Sequence, residues 1–238
     1  MQPTLYQIVH CRHNRPRCLE EHLTLLAREY HALWGVRPTL LVEQFRGQLT
    51  QLLHRERYSS AVSSFVRIDL DREGNIAFTP LGSSLYDGYA LRSIRPHACT
   101  LPYEIPFDRP YTSAAEAAYA LAEECARSQG FEAAVRCDRE GVCYAVGAAQ
   151  LFAIGGGVLY TSLAPYSVEA KIITLAAERL RLRLDIHPLK REELQRYEEL
   201  FTVDHRGITS LAHCDGHPFM ALRTERLAEA MELCITAR

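Results

Sequence analysis

The sequence is short of lysine. Its 238 residues include two lysines, Lys171 and Lys190, although 25 arginines supply positive charge along the chain. The first 170 residues contain none. A lysine amine is the side chain that forms Schiff bases with carbonyl groups. Such chemistry is therefore confined to two positions in the last third of the chain.

A strong net charge and a long apolar run are also missing. The formal charge is -2 and the pI about 6.6, which excludes a general field that would attract nucleic acid or an anionic membrane. The N-terminal residues contain no apolar stretch of signal-peptide length, and the least polar run, from Ala145 to Tyr160, is interrupted by Gln150 and by the three consecutive glycines at 155–157. We therefore expect a cytoplasmic protein with no nucleic-acid partner and no membrane partner.

The eight cysteines are scattered rather than spaced as a disulfide framework, so we predict reduced, partly buried thiols. Two local groups contain the residue types that bind zinc. They are His10, Cys11, His13 and Cys18, and His213, Cys214, Asp215 and His217. Both groups fall in predicted hairpins, where neighbouring side chains alternate between faces. The alternation splits each set, so we predict no metal site.

Apolar periodicity predicts a mixed α and β chain without a regular βαβ repeat. Helices are predicted over Leu19–Trp34, 40–54, 113–129, Tyr166–Leu182 and Thr224–Thr236, with hairpin turns at 72–75, 138–141 and 155–157 and single strands at 4–12 and 88–96. No dinucleotide or P-loop motif is present, because Gly155 to Gly157 lack the following helix.

A proline-bearing stretch, Leu101 to Pro110, is the predicted linker, because composition changes after it. The division that follows is a smaller N-terminal α/β domain over residues 1–105 and a larger C-terminal domain over residues 106–238.

Three stretches carry a family resemblance, in the same order along the chain. They read LYQIVHCRHNRPRCLEEHL, SQGFEAAVRCDREGVCYAVGAAQLFAIGGGVLYT and ITLAAERLRLRLDIHPLKREELQRYEELFTVDHRGITSL. The first resembles the aromatic-Glu-Thr strand and Glu-His-Leu helix entry of the fold-type IV pyridoxal-phosphate family. The second resembles its run of G-(aromatic)-D/Q-E-A, hairpin, N-L-F and hairpin, and the third its ending with E-E-L, A-D-E-(apolar)-F and G-I-T-P-V. These class IV aminotransferases include branched-chain and D-amino-acid transaminases and aminodeoxychorismate lyase.

The resemblance spans nearly the whole chain and implies an α+β, two-domain fold like that of D-amino-acid aminotransferase. It also implies an N-terminally shortened version, because the chain begins at the strand that carries Tyr6, a family pocket aromatic. The family is usually dimeric with its cofactor cleft near the interface, so we expect a homodimer.

Family chemistry depends on a lysine that forms a Schiff base with the cofactor and moves the proton at the substrate α-carbon. In the family this lysine precedes the glycine of the G-(aromatic)-x-E phrase by about nineteen residues, and counting back from Gly130 gives Tyr111. A tyrosine cannot form the Schiff base. Lys171, three residues past Val168, is the alternative amine, although a helix lysine is usually solvated.

Two further family anchors are replaced as well. The carboxylate that keeps the pyridine nitrogen protonated corresponds to Ala145, and the arginine that binds the phosphate corresponds to Leu25. Tyr111, Ala145 and Leu25 therefore cannot form the Schiff base, keep the pyridine nitrogen protonated and bind the phosphate, respectively. These residues are expected to fill a pocket that the family keeps for its cofactor, so we predict no cofactor.

Other positions are candidates for binding a small anion. The phosphate-cradling segment is shortened, with Ser167 and Val168 where the family places its amide donors. His205 and Arg206 stand at a second phosphate-contacting turn and either bind a small anion or form a surface turn before a glycine. Arg92 and Arg95 are further candidates for a carboxylate.

The first functional hypothesis is a class IV aminotransferase-like protein that has lost pyridoxal-phosphate binding and transaminase or lyase activity, and acts in binding, regulation or altered chemistry. The alternative is an active transaminase or aminodeoxychorismate lyase whose residues are displaced. A third possibility is a metal- or thiol-dependent enzyme that uses the His and Cys groups.

Overall fold

The computed structural model describes residues 2–105 and 111–236, and the second half of the predicted linker, residues 106–110, lies outside them. The helices are α1 (Leu19–Trp34), α2 (Val42–Arg55), α3 (Ser113–Ser128), α4 (Val168–Arg179) and α5 (Leu222–Thr236), with a 3-10 helix at Arg191–Arg196. The strands are β1 (Leu5–Arg12), β2 (Arg15–Pro16), β3 (Ser64–Leu70), β4 (Ile76–Ser83), β5 (Ala90–Leu91), β6 (His97–Pro102), β7 (Ala133–Cys137), β8 (Val142–Val146), β9 (Ala149–Gly155), β10 (Val158–Thr161), β11 (Arg183–Ile186), β12 (Leu189–Lys190), β13 (Glu199–Asp204), β14 (Gly207–Ser210), β15 (His213–Cys214) and β16 (His217–Pro218). The described residues form two compact units, one of residues 2–88 with 111–115 and one of residues 89–105 with 116–236.

The first unit is an antiparallel sheet of four strands in the order β2-β1-β3-β4, with α1 and α2. Its core joins sheet and helix residues such as Val9, Leu26, Leu49 and Ile68, none of which is exposed to solvent. The apolar face of each helix repeats every three to four residues, and burying those faces provides the main stabilisation of the unit. Helix α1 ends at Trp34, as predicted, and the next residue, Gly35, has the left-handed conformation that favours glycine.

The second unit is built on a branched sheet whose main path runs β16-β15-β6-β7-β8-β9-β13-β14-β5. The stretch from β7 to β14 is antiparallel, whereas β6 joins β7, and β5 joins β14, in parallel. One apolar cluster of this unit includes Val135, Leu151 and Leu200, while Ala122 and Ala126 of α3 pack with residues of β6 and β7. The small alanine side chains let α3 approach the sheet closely.

A β-bulge interrupts the hairpin of β7 and β8. Arg136 faces Ala145, but the next pair along β7 is Cys137 with Cys143, so Tyr144 is an extra residue on β8. A bulge of this kind brings two residues of one strand opposite a single residue of its partner. The bulge therefore sets the direction of the side chains at the position where the sequence places a family anchor.

The predicted strand at 88–96 is wrong for most of its length. Only Ala90–Leu91 form a strand there, and the next strand, His97–Pro102, takes up the first residues of the predicted linker. The reason lies in partners distant in sequence, since Arg92 donates its backbone N–H to the Ile208 carbonyl (2.9 Å) and the Arg95 guanidinium donates to the Phe219 carbonyl (2.5 Å). A helix long and apolar enough to cross a membrane is not found within residues 2–105 and 111–236.

Candidate functional site

Tyr111 belongs to a stacked aromatic group in the first unit. Its carbonyl accepts the backbone N–H of Tyr6 at 3.0 Å, and the two rings stack with centroids 6.0 Å apart. The Arg67 guanidinium lies 4.1 Å from the centroid of the Tyr6 ring and is held by an ion pair with Asp69 at 2.8 Å. Tyr111, which the sequence predicts to replace the family lysine, is therefore fixed by backbone pairing with β1 and by ring packing.

Leu25 is buried in α1, 2% exposed. One turn earlier, the Nδ1 atom of His22 lies 3.1 Å from the Oε1 atom of Gln7, whose Nε2 in turn donates to Glu29 at 3.5 Å. All three polar residues are buried. Position 25, where the sequence resemblance predicts the counterpart of a phosphate-binding arginine, thus carries a buried aliphatic side chain, and His22, one turn earlier, forms a buried hydrogen-bonded series with Gln7 and Glu29. No guanidinium stands at position 25 itself.

Ala145 lies on β8 in the second unit, opposite Arg136 of β7 and Gln150 of β9. Arg136 is the largest fully buried side chain among the described residues. Its guanidinium lies 5.0 Å from the Tyr119 ring centroid and 4.9 Å from that of Tyr144, within cation–π range, and donates to the Gly147 carbonyl at 2.7 Å. A buried cation therefore lies opposite Ala145, the residue predicted to replace the family carboxylate.

Gln150 connects this part of the sheet to the segment that leads into α4. Its Nε2 atom donates to the Thr161 hydroxyl (2.9 Å) and to the Leu163 carbonyl (2.8 Å), and its Oε1 atom accepts the Tyr166 N–H (3.4 Å). Because Gln150 is itself buried, these bonds fix the path of residues 161–166. The start of α4 is held in place as a result.

The start of α4 is capped by Ser167, whose Oγ accepts the Ala170 N–H at 3.0 Å. Val168 is the first helical residue and Glu169 the second, and both are buried. Burial is the main cause that raises the pKa of Glu169 to about 7. The Asp204 carboxylate contributes to this rise, and hydrogen bonds from the residue's own N–H and from Ser167 oppose it. The amides of a first helical turn attract negative charge.

Asp204 and Arg206 form an ion pair across the turn between β13 and β14. The Arg206 guanidinium donates to the Asp204 carboxylate through Nε at 2.9 Å and through Nη2. Burial by itself would raise the pKa of Asp204, but the charges of His205 and Arg206 outweigh burial and hold that pKa below its usual value. Helix α4 packs against β13, the strand that ends at Asp204, and the negative charge of Asp204 contributes to the raised pKa of Glu169.

His205 lies between the two ends of that ion pair in sequence. Its pKa is lowered to about 4, mainly by burial. The positive charges of Arg206 and Arg92 also lower the pKa, and the negative charge of Asp204 opposes the change. The imidazole is therefore neutral near pH 7 and has one donor and one acceptor nitrogen. Gly207, which ends the turn, has a φ of +110°, and a side chain there would overlap the backbone of Ala90.

Ser167, Val168, His205 and Arg206 all lie in the second unit. Ala145, in the same unit, faces Gln150, which bonds to the segment that leads into α4. Leu25 and Tyr111 lie in the first unit, together with Tyr6. Arg92 approaches the same turn, because its charge acts on His205 and its guanidinium donates to Thr209 at 3.3 Å.

The two lysines have other surroundings. Lys171 is exposed on α4, and its backbone N–H donates to the Ser167 carbonyl at 3.2 Å. Lys190 lies on β12, where its ammonium group donates to the Glu140 carbonyl at 3.0 Å. Within the described part of the chain, no three His, Cys, Asp or Glu side chains are grouped to hold a metal ion.

The chain is similar in structure to a branched-chain aminotransferase from the archaeon Thermoproteus uzoniensis, described with norvaline. The two share 17% identity over 98% of this chain and 86% of that chain, with a TM-score of 0.79. The chain has the fold of the fold-type IV aminotransferases. The predicted α+β architecture and the resemblance to that family are confirmed for the fold. No protein-family model matches the sequence, and no curated protein matches it either.

Two further structures with the fold-type IV aminotransferase fold contradict one prediction. An aminotransferase from Brucella abortus (13% identity, 97% of this chain and 88% of that chain, TM-score 0.79) is described as bound to the cofactor PLP. A branched-chain amino acid aminotransferase from T.th. (17% identity, 99% of this chain and 86% of that chain, TM-score 0.78) is described with pyridoxamine 5'-phosphate. The prediction of no cofactor is therefore wrong by this comparison, because it took the replacement of three side chains as the loss of the whole group.

Sequence reasoning missed two buried charged residues that lie next to predicted site residues, Arg136 opposite Ala145 and Glu169 after Val168. The sequence contains a signal for Arg136, which is the single charged residue in the apolar strand AAVRC. A charged residue in such a strand requires buried hydrogen-bond or charge partners. Glu169 gave no such signal, since a glutamate in the first turn of a helix is ordinary. Its burial comes from the packing of α4 against α5 and β13.

Proposed function

We propose that this chain is a class IV aminotransferase-like protein that binds a small anionic molecule at the start of α4 without transaminase or lyase chemistry at residue 111. The observation that carries the proposal is the pairing of Tyr111 with β1 through its backbone and ring. A phenol held in this way supplies no amine for a Schiff base. The chain then acts in binding or regulation.

Pyridoxal phosphate is one anion of the right class, and the chain's residues fit its parts unequally. The capped first turn of α4, with Arg206 and neutral His205 nearby, offers donors for a phosphate group. The methyl group of Ala145 offers no carboxylate for the ring nitrogen. We therefore propose reversible binding through the phosphate.

Binding and covalent attachment are separated by two measurements on the same sample. Titration with pyridoxal phosphate, and separately with sulfate, is expected to raise the melting temperature, and borohydride treatment followed by peptide mapping is expected to label no lysine. The variant Arg206→Gln is expected to weaken the stabilisation by either anion, since it removes a donor beside α4. Arg183→Gln is the matched control, because Arg183 is largely exposed on β11.

Each outcome decides one part of the proposal. Selective labelling of Lys171, or turnover of an amino acid, would establish the alternative of an active transaminase or lyase with displaced residues. A melting temperature unchanged by both anions would remove the anion site. No observation in the structure favours a metal- or thiol-dependent enzyme over these two.

The remaining organisation of the protein is also a proposal. We infer a cytoplasmic homodimer, to be tested by fractionation of cells and by analytical ultracentrifugation of the purified chain. The division at residue 105 is tested by limited proteolysis, which is expected to cut first in the stretch that follows it.

A further inference from the structure

Cys137 and Cys143 face each other directly across the hairpin of β7 and β8. The hydrogen bond from the Asp138 N–H to the Val142 carbonyl, 3.1 Å long, closes the hairpin just beyond them. This bond places the two cysteines at a non-hydrogen-bonded position of the antiparallel pair, where opposing Cα atoms are about 4.5 Å apart. Disulfides span Cα separations of about 4.4 to 6.8 Å, so the backbone already has a suitable spacing.

Both thiols are reduced and fully buried in the same apolar cluster. Directly opposed residues of an antiparallel pair project to the same face of the sheet, so both thiols lie on one side of the hairpin. Burial raises the pKa of both thiols, so little reactive thiolate forms while the hairpin is closed. Reaction therefore depends on local opening of the hairpin.

We propose that Cys137 and Cys143 are an oxidation site, which forms a cross-strand disulfide when the protein meets a low-molecular-weight disulfide. One cysteine thiolate attacks the reagent, making a mixed disulfide and releasing one reagent thiol. The second cysteine attacks the mixed disulfide and releases the other reagent thiol. Two cysteine thiols are oxidised, the reagent disulfide is reduced to two thiols, and these thiols carry the two protons.

A third buried thiol, Cys214, lies close enough to act electrostatically on both members of the pair. Its strand, β15, pairs with β6 and not with β7 or β8, so Cys214 does not stand opposite either cysteine in a ladder. The strand register therefore selects Cys137 with Cys143. The disulfide would fasten the bulge at Tyr144, the ring that contacts the buried Arg136 guanidinium.

Peptide mapping tests the linkage on the full chain. Reduced protein is treated with oxidised glutathione, the remaining thiols are alkylated, and trypsin is added without reductant. Cleavage after Arg136, Arg139 and Lys171 places Cys137 in peptide 137–139 and Cys143 in peptide 140–171. The expected product is these two peptides joined, with a mass lower by two hydrogens than their sum. Mild urea, which opens the hairpin, is expected to speed its appearance.

Variants assign the partner. Cys137→Ala is expected to abolish the joined product, while Cys214→Ala leaves it in place. A product that joins peptide 140–171 to peptide 207–223, which contains Cys214, would overturn the proposal, as would wild-type protein that forms no linkage even in mild urea. The wild-type map decides the question by itself if a variant fails to fold.

Discussion

Helices α4 and α5 of the second unit begin in different ways. The start of α5 is held by Glu199, a buried residue of β13 whose carboxylate accepts the N–H groups of Arg223 (2.7 Å) and Thr224 (2.8 Å) and the Thr224 hydroxyl. The start of α4 is held by Ser167, a neighbour in sequence whose hydroxyl accepts one N–H.

The difference concerns the charge that meets each helix. The Glu199 carboxylate already accepts N–H groups of the first turn of α5, so an external anion is not needed there. A neutral hydroxyl caps α4, and the carboxyl group nearest to it, on Glu169, has a pKa raised to about 7 by burial. The protein's own carboxylate thus accepts the N–H groups at the start of α5, whereas those at the start of α4 are the ones that the proposed anion would bind.

The largest expected effect comes from removing the internal anion of α5. Glu199→Ala leaves three donors in a buried place without their acceptor, and hydrogen bonds to charged groups contribute about 1.5 to 3 kcal/mol each. We expect the free energy of unfolding to fall by about 4.5 kcal/mol in urea denaturation, the lower bound of this sum, because the Arg223 N–H is only partly buried. Glu193→Ala, at a largely exposed ion pair with Arg196, is the control and should change little. Equal effects of the two substitutions would remove the contrast between the helix starts.

An intermediate effect is expected at α4 from Glu169→Gln. Because burial raises the pKa of this acid to about 7, the folded state binds its proton more tightly than the unfolded chain does. Stability is therefore lost as the pH rises from about 4.5, the ordinary value, to about 7, and it stays lower above that. The groups that act on Glu169 are Asp204, Ser167 and its own N–H.

The glutamine variant has no proton to lose, so it should be more stable than the wild type at pH 8 by up to about 3 kcal/mol and equal to it near pH 4.5. Thermal melts of both proteins across this pH range measure the difference. Parallel pH profiles for the two proteins would show that Glu169 is ionised without cost in the folded state.

The smallest effect is expected from Ser167→Ala, which removes a neutral cap. Loss of a serine N-cap costs about 1 kcal/mol, well below the effect of Glu199→Ala. Urea denaturation measures the change, and sulfate is expected to restore part of it by serving the same amide. A loss as large as that of Glu199→Ala would mean that both helices depend on their caps to the same degree.

Local signals predicted much of this fold from the sequence. The turn residues Asp138 to Gly141 placed the hairpin that carries Ala145, and the helix after Tyr166 was placed to within two residues at its N-terminal end. The fold class followed from the order of such elements. These features depend on residues close together in sequence, so a pattern can predict them.

Other features depend on partners far apart in sequence and were not predictable in this way. Glu199 caps a helix that begins 23 residues later, at Leu222, and the strand expected at 88–96 is shortened by contacts with residues beyond 200. The bulge at Tyr144 arises from the pairing of β7 with β8 and not from a local sequence signal. The electrostatics of Glu169 depend on a turn about 35 residues away, which no spacing rule connects to it.

Gly207 has a consequence for how this protein can be engineered. Every other amino acid at that position would collide with the backbone of Ala90 and would also be strained at a φ of +110°. A saturation library of the turn should therefore retain glycine alone at 207 while accepting many residues at Arg206, whose side chain is 46% exposed. Under the proposed anion site, substitutions at Arg206 would change ligand preference while Gly207 keeps the backbone path unchanged, so this short turn is a practical place to start directed evolution.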